Sequence, residues 1–125
     1  MPMIKLTFCL RRLPHLTQAQ FHDYWRNSHG PLVRSHAAAL GISRYVQTHA
    51  IATPFNDGLR QSRQAPEPFD GIAELWWPDL ATFERAMSAP AARAAGKALL
   101  ADEQTFIDLP RSPLWLNHEH QIVGA

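Results

Sequence analysis

Near the start of the chain, apolar side chains recur at every second residue. Ile4, Leu6, Phe8 and Leu10 alternate with Lys5, Thr7 and Cys9, which predicts a strand over 3–10. The period then changes. Thr17-Gln18-Ala19-Gln20 has the form of a capping box, and Phe21, Tyr24, Trp25 and Ser28 follow at helical spacing, so a helix starts at Thr17. Leu32, Val33, His36 and Leu40 carry that spacing past Gly30-Pro31, where the missing N–H of Pro31 predicts a kink or a restart. Gly41 stops this segment, and 43–51 reads as a second strand. From 52 to about 69, Pro54, Asn56-Asp57-Gly58, Pro66 and Pro68 come without sustained periodicity. They predict a long loop, of the kind that often serves as a lid, a binding loop or an arm around a partner. A third strand spans 70–77, and Pro78-Asp79 ends it and caps a helix with Leu80, Phe83 and Met87 on one side. Ser88-Ala89-Pro90 interrupts, and an Ala-rich helix follows with Ala92, Ala95, Leu99 and Phe106 inward, stopping before Pro110. Alternation from Ser112 to Val123 predicts a fourth strand.

Strand, helix, strand, strand, helix, strand is the βαββαβ order of an α+β, ferredoxin-like domain, in which a four-stranded antiparallel sheet carries both helices on one face. At 125 residues with 46% hydrophobic content, residues 1–125 make one such domain. The other sheet face is then left over. In strand three, Ile72, Glu74 and Trp76 occupy one parity and Ala73, Leu75 and Trp77 the other, so large rings project from both sides. Burying an aromatic side chain is worth roughly 1.5–3 kcal/mol, so a second covering layer is expected, and a second copy of the sheet supplies it with two-fold symmetry. The alternative is that Trp77 lies at a strand end under the long loop.

Charge narrows the partners. Twelve Lys+Arg against eleven Asp+Glu leave a formal net charge of +1, with the cations scattered from Lys5 to Arg111, which argues against nucleic acid or an anionic membrane surface. The single Cys9 allows no intrachain disulfide, and Met1-Pro2-Met3-Ile4-Lys5 lacks a signal-peptide pattern, so a cytoplasmic location is expected.

Seven histidines are the feature that most needs a chemical account. His15, His22, His29 and His36 recur every seven residues. On a continuous helix that is about 10.5 Å of rise, too far for neighbours to share an ion, and His118-x-His120 lacks a third ligand, so no metal is expected. His29 differs. With Phe21 at zero on the helical wheel it falls at about 80°, at the rim of the apolar face. Partial desolvation there depresses an imidazole's pKa and leaves it available as a base, unless the ring instead bonds a carbonyl to hold the Gly30-Pro31 kink. His49 on strand two and Glu74 on strand three form either a base-and-orienter pair or separate groups, Glu74 then making an inter-subunit ion pair with Arg44 or with an arginine of the long loop. Tyr24 offers a hydroxyl and Trp25 a wall, although both residue types are more often core. There is no Gly-x-Gly-x-x-Gly, Walker lysine loop, Gly-x-Ser-x-Gly elbow or cysteine cluster, and Cys9 in a buried strand reads as packing.

Phe21-His22-Asp23-Tyr24-Trp25-Arg26-Asn27-Ser28-His29-Gly30-Pro31-Leu32-Val33 resembles the Phe-x-x-Tyr-Trp-x-x-x-His-Gly-Pro-Leu signature of the EthD family. Phe69-Asp70-Gly71-Ile72-Ala73-Glu74-Leu75-Trp76-Trp77 is similar to its Phe-Asp-Gly-x-x-Glu-x-Trp-Phe region. The resemblance implies a dimeric α+β barrel with a pocket between sheet and helices, and it raises His29 above its structural alternative. The family is named for a protein encoded beside an ether-degrading haem monooxygenase system. Related members act as cofactor-independent dehydratases or cyclases in polyketide and anthraquinone pathways, and the wider superfamily includes isomerases and cofactor-free monooxygenases.

Together these readings lead to an expected enzyme with no cofactor, acting by proton transfer on a small, largely apolar, carbonyl- or phenol-bearing substrate in a catabolic or polyketide-type pathway. Dehydration, isomerisation and cyclisation are the reactions in view. His29, His49 and Tyr24 are the expected catalytic residues, and Trp25, Glu74 and Trp76 the expected substrate-binding ones. The competing readings are a non-catalytic binding or accessory protein of an oxygenase system, and a cofactor-free monooxygenase.

Overall fold

The computed structural model describes residues 3–125. The opening Met1-Pro2, read above as part of a start without a leader pattern, lies outside the described residues. Strand β1 (Ile4–Leu10) is followed by α1 (Gln18–Tyr24), a five-residue π-helical turn (Trp25–His29) and α2 (Gly30–Leu40). Next come β2 (Arg44–His49), α3 (Pro54–Arg63), β3 (Gly71–Trp77), α4 (Leu80–Ser88), α5 (Pro90–Glu103) and β4 (Leu114–Asn117). The strands line up in the order β2-β3-β1-β4, with every neighbouring pair antiparallel. This is the ferredoxin-like α+β sheet that the element order predicts.

The capping box forms as expected: Thr17 accepts from the Gln20 N–H while the Gln20 side chain accepts from the Thr17 N–H. At Gly30-Pro31 the expected kink is replaced by a wider turn. The Gly30 N–H reaches back five residues to the Trp25 carbonyl, so the helix absorbs Pro31 in its second segment without losing helical dihedrals. The extra residue sets everything beyond it back by about 100°, which moves Val33 and Leu40 from about 120° and 100° on the wheel to the inward face shared by Phe21 and Trp25. Phe21, Trp25, Val33 and Leu40 are all buried. Ser28, expected on the apolar face, is exposed instead, and His29 is buried.

Two further expectations change. The long loop contains α3, started by Thr53, whose hydroxyl accepts from the Phe55 N–H, with Pro54 at its first turn. None of its residues is buried, which is why no apolar periodicity announced it. The fourth strand is shorter than its alternation suggested. β4 pairs with β1 from Phe8↔Leu114 to Lys5↔Asn117, and β1 begins at Ile4, so residues beyond Asn117 run out of partner.

The two sheet faces separate cleanly. Leu6, Phe8, Leu10, Tyr45, Ala73, Leu75, Trp77 and Leu114 face the helices. Trp77 packs edge-on against Phe83, with ring centroids 4.9 Å apart, and donates its indole N–H to the Leu40 carbonyl, so it lies under α4 and α2 rather than under the long loop. Trp76 lies on the opposite face, under Lys5 and Arg44, and its indole N–H donates to Glu119. Gly71 sits where the Trp25 ring crosses β3. A Cβ there would lie 2.4 Å from Trp25 Cζ3 and 2.6 Å from the Thr48 carbonyl oxygen, which is backbone and cannot swing away. Gly71→Ala is expected to lower unfolding stability by about 2–3 kcal/mol, read as a lower urea midpoint with unchanged slope.

Candidate functional site

Between the sheet and the helices lies a cavity of about 320 Å³, at the small end of the range for ligand pockets. Its lining is apolar apart from three side chains: His29, Tyr45 and Glu103. His29 is placed by the π-helical turn, Tyr45 by β2 and Glu103 by the last turn of α5.

Behind His29 stands Asp102. The His29 Nδ1–H donates to Asp102 Oδ2 at 2.7 Å, and the Tyr24 hydroxyl donates to Asp102 Oδ1 at 2.5 Å. A carboxylate that accepts at Nδ1 fixes the tautomer with its lone pair on Nε2, the nitrogen left without a protein partner among the described residues. Burial lowers the His29 pKa from its ordinary 6.5, and the hydrogen bond and charge of Asp102 partly oppose that. The net direction keeps the imidazole neutral near pH 7. Tyr24 has its pKa raised, first by the bond to Asp102, so it stays a donor. Its hydroxyl serves Asp102 rather than a substrate oxygen.

Glu103 makes no side-chain hydrogen bond or ion pair among the described residues. Burial, with the charge of Asp102 adding to it, pushes its carboxyl up to about 7. Neither acid figured among the expected residues, yet the stripe Ala92, Ala95, Leu99, Phe106 passes directly over them. Positions 102 and 103 fall at the helical spacing between Leu99 and Phe106, so two carboxylates on an apolar stripe were the available signal.

Trp25, an expected substrate-binding residue, is buried and forms part of the cavity wall. His49 does not line the cavity. It stacks flat on the other side of Trp25 at 4.5 Å, lies 4.5 Å from the His22 ring, and its Nε2–H donates to Gln47 Oε1. Gln47 in turn donates to the Trp25 carbonyl and the Tyr45 hydroxyl, so His49 braces the wall from a cleft it shares with Arg26 and Gln47. Burial, then the charges of His22 and Arg26, lowers its pKa.

Two expected substrate-binding residues face away from the cavity. Glu74 is opposite Thr7 and Val46 on the other sheet face, where it accepts from Lys5 Nζ at 2.7 Å, and Trp76 shares that face. Glu74 therefore cannot orient His49 of its own chain, whose neighbour in β3 is Gly71, and within the chain its cation is Lys5. Side chains one residue apart on a strand point to opposite faces, and the cavity took the parity of Ala73, Leu75 and Trp77. Among the described residues no group of three or more His, Cys, Asp or Glu side chains is placed to hold a metal ion, and no helix is long and apolar enough to cross a membrane.

The signature regions meet around this cavity. Asp70 accepts from the Arg12 N–H and guanidinium, and its carbonyl accepts from His22 Nε2, fastening the start of β3 to β1 and α1. A family model described as the EthD domain matches residues 13–110, which takes in α1 through α5 and hence His29, Asp102 and Glu103. The chain belongs to the EthD family. No characterised protein sequence matches it significantly. Among solved structures it is similar to an EthD family protein from Bacillus halodurans, at 24% identity over 94% of this chain and 99% of that one, with a TM-score of 0.61. SnoaB from Streptomyces nogalater, a cofactor-independent oxygenase, matches at 14% identity over 100% of both chains, with a TM-score of 0.57. A dimeric protein with a ferredoxin-like fold from Bacteroides fragilis matches at 11% identity over 94% of this chain and 96% of that one, with a TM-score of 0.57. At these identities the likeness establishes the ferredoxin-like fold shared by EthD proteins.

Proposed function

We propose that this EthD protein is an acid/base enzyme acting, without a cofactor, on a small apolar molecule that carries a carbonyl or phenol. The observation that carries the reading is a buried imidazole, His29, held through Nδ1 by Asp102 and set in the wall of a largely apolar cavity. A base positioned within reach of a bound substrate, with its tautomer set by a carboxylate, is the requirement for proton abstraction next to a carbonyl or from a phenol. Trp25 gives the substrate a flat wall, Tyr24 holds Asp102, and His49 supports Trp25 from behind. Dehydration, isomerisation and ring closure all begin with this step and need no external redox carrier. Catabolic or polyketide-type metabolism is the setting in which such substrates arise.

The same reading includes a homodimer. The open sheet face presents Thr48, Ile72 and Trp115, the last 48% exposed, as the surface for pairing, and a dimeric ferredoxin-like neighbour supports a dimer. Likeness to a cofactor-independent oxygenase favours one second reading, in which His29 deprotonates a dihydroxyaromatic that then reacts with oxygen.

A panel of aromatic ketones, β-hydroxy ketones and phenols tests the proposal, with turnover, oxygen uptake and ligand-induced thermal shift measured on wild type and His29→Ala. Turnover is expected to fall by about 10²–10⁴-fold in the variant while binding persists. Equal turnover in both proteins removes His29 from the chemistry. Binding with no turnover on any substrate supports an accessory, ligand-carrying role, and oxygen consumption selects the oxygenase.

A further inference from the structure

Glu103 is the one acidic side chain on the cavity wall, and it has no partner among the described residues. Every other acid near the site is engaged: Asp102 accepts from both Tyr24 and His29. The ionisable groups facing Glu103 are Asp102 beside it on α5, Tyr45 from β2 and His29 from the π-helical turn. None of them is a cation to hold it ionised, since the pKa of His29 is itself lowered by burial. A carboxyl exposed to an apolar cavity without a cation is stable as the neutral acid, and a neutral acid is a hydrogen-bond donor.

We propose that Glu103 is the proton donor of this site and that, on the wall of a cavity of about 320 Å³, it restricts the substrate to small uncharged ketones, with or without a β-hydroxyl. The inference rests on His29 acting as the base. In the dehydration form, the C–H bond next to the carbonyl breaks and its proton goes to His29 Nε2. The freed electron pair forms the new carbon–carbon double bond as the Cβ–O bond breaks, and the leaving hydroxyl takes the Glu103 proton and departs as water. The imidazolium and carboxylate left behind exchange one proton through solvent, so atoms and charge balance and no electrons are transferred. Without a β-hydroxyl, the same pair interconverts ketone and enol, with Glu103 protonating the carbonyl oxygen. An anionic substrate is excluded because it would be desolvated in an apolar chamber and would face Glu103 once that group had given up its proton. The direction of the two pKa shifts agrees with this division of labour: burial holds the base deprotonated and the acid protonated over a common pH range.

2-Tetralone labelled with ¹³C at the carbonyl provides the test. On binding the wild-type protein at pH 6, its carbonyl resonance is expected to move downfield, the signature of a donated hydrogen bond. That shift should persist in His29→Ala and vanish in Glu103→Met, which keeps the side-chain length without the donor. Deuterium exchange into the α-position, followed in the same samples, is expected to fall about 100-fold or more in Glu103→Gln, whose amide can bond the carbonyl but cannot transfer a proton. The rate should rise with pH through the His29 limb below 6.5 and fall near 7, and Glu103→Gln should lose the falling limb. A downfield shift retained in Glu103→Met, or exchange in Glu103→Gln equal to wild type while His29→Ala is inactive, overturns the role of Glu103 and leaves His29 as base. Undiminished exchange in His29→Ala overturns the underlying reading instead. Failure of 2-tetralone to bind removes the substrate class.

Discussion

Asp102→Asn is expected to reduce turnover by about 10²–10⁴-fold with little change in KM, although the substituted atom is one bond network away from any substrate. Asp102 accepts from the Tyr24 hydroxyl at 2.5 Å and from the His29 ring at 2.7 Å, using both oxygens. An amide has one acceptor oxygen and one donor nitrogen. If Tyr24 keeps the oxygen, the NH₂ group faces Nδ1, which must then present its lone pair, so the ring proton moves to Nε2 and the base is lost from the cavity side. The same wrong-tautomer exchange in the serine-protease triad costs about 10⁴-fold, which sets the upper end of the range. The pH profile gives a second readout. Burial lowers the His29 pKa and Asp102 raises it, so removing the carboxylate should shift the rising limb of any residual activity further toward acid. A merely structural role would lower the melting temperature and leave that limb in place.

The contribution of Glu103 to stability should fall with rising pH between about 4.5 and 7, against the opposite trend set by His29 and His49, and Glu103→Gln should abolish that contribution. In the unfolded chain this carboxyl has its ordinary pKa of 4.5, and in the folded protein burial pushes it up to about 7. Between those values the native state holds a proton that the unfolded state has released, so unfolding becomes steadily easier as the pH rises. Below 4.5 both states are protonated and the contribution is complete; above about 7 it is gone. At about 1.4 kcal/mol per pKa unit the span is an upper bound of about 3.5 kcal/mol, reduced by whatever solvent enters the cavity. Glu103→Gln, neutral at every pH, should therefore match wild type at pH 4 and exceed it at pH 8. Urea titrations at these two pH values measure the difference directly, and parallel pH dependence in both proteins would place the Glu103 pKa at its ordinary value.

Much of the architecture could be read along the chain because it depends on local periodicity and local caps. The capping box at Thr17, the turn at Gly41 and the N-cap at Asp79 each mark a helix boundary that the structure keeps. Helix α3 escaped because its polar sequence buries nothing, and β4 was overextended because alternation continues past the end of its partner strand. The phase of α2 also lay outside local rules. The π-helical turn is the response of a helix to Pro31 at a place where Val33 and Leu40 must still face the sheet, a demand that comes from the core and not from the segment itself.

By itself, the sequence determined the order of elements, the ferredoxin-like α+β class, the two EthD signature segments and His29 as the histidine set apart at the edge of an apolar face. Periodicity assigns residues to a face, and a motif assigns them to a family, without reference to anything distant in the chain. Only the tertiary structure decided which face of β3 bounds the cavity, and so placed Glu74 and Trp76 on the far side with Lys5. It alone brought Asp102 and Glu103 to His29, across 73 positions in the case of the Asp102 bond. A strand's two parities are equivalent until a layer packs on one of them, and a carboxylate becomes a partner or an acid only once folding fixes what surrounds it.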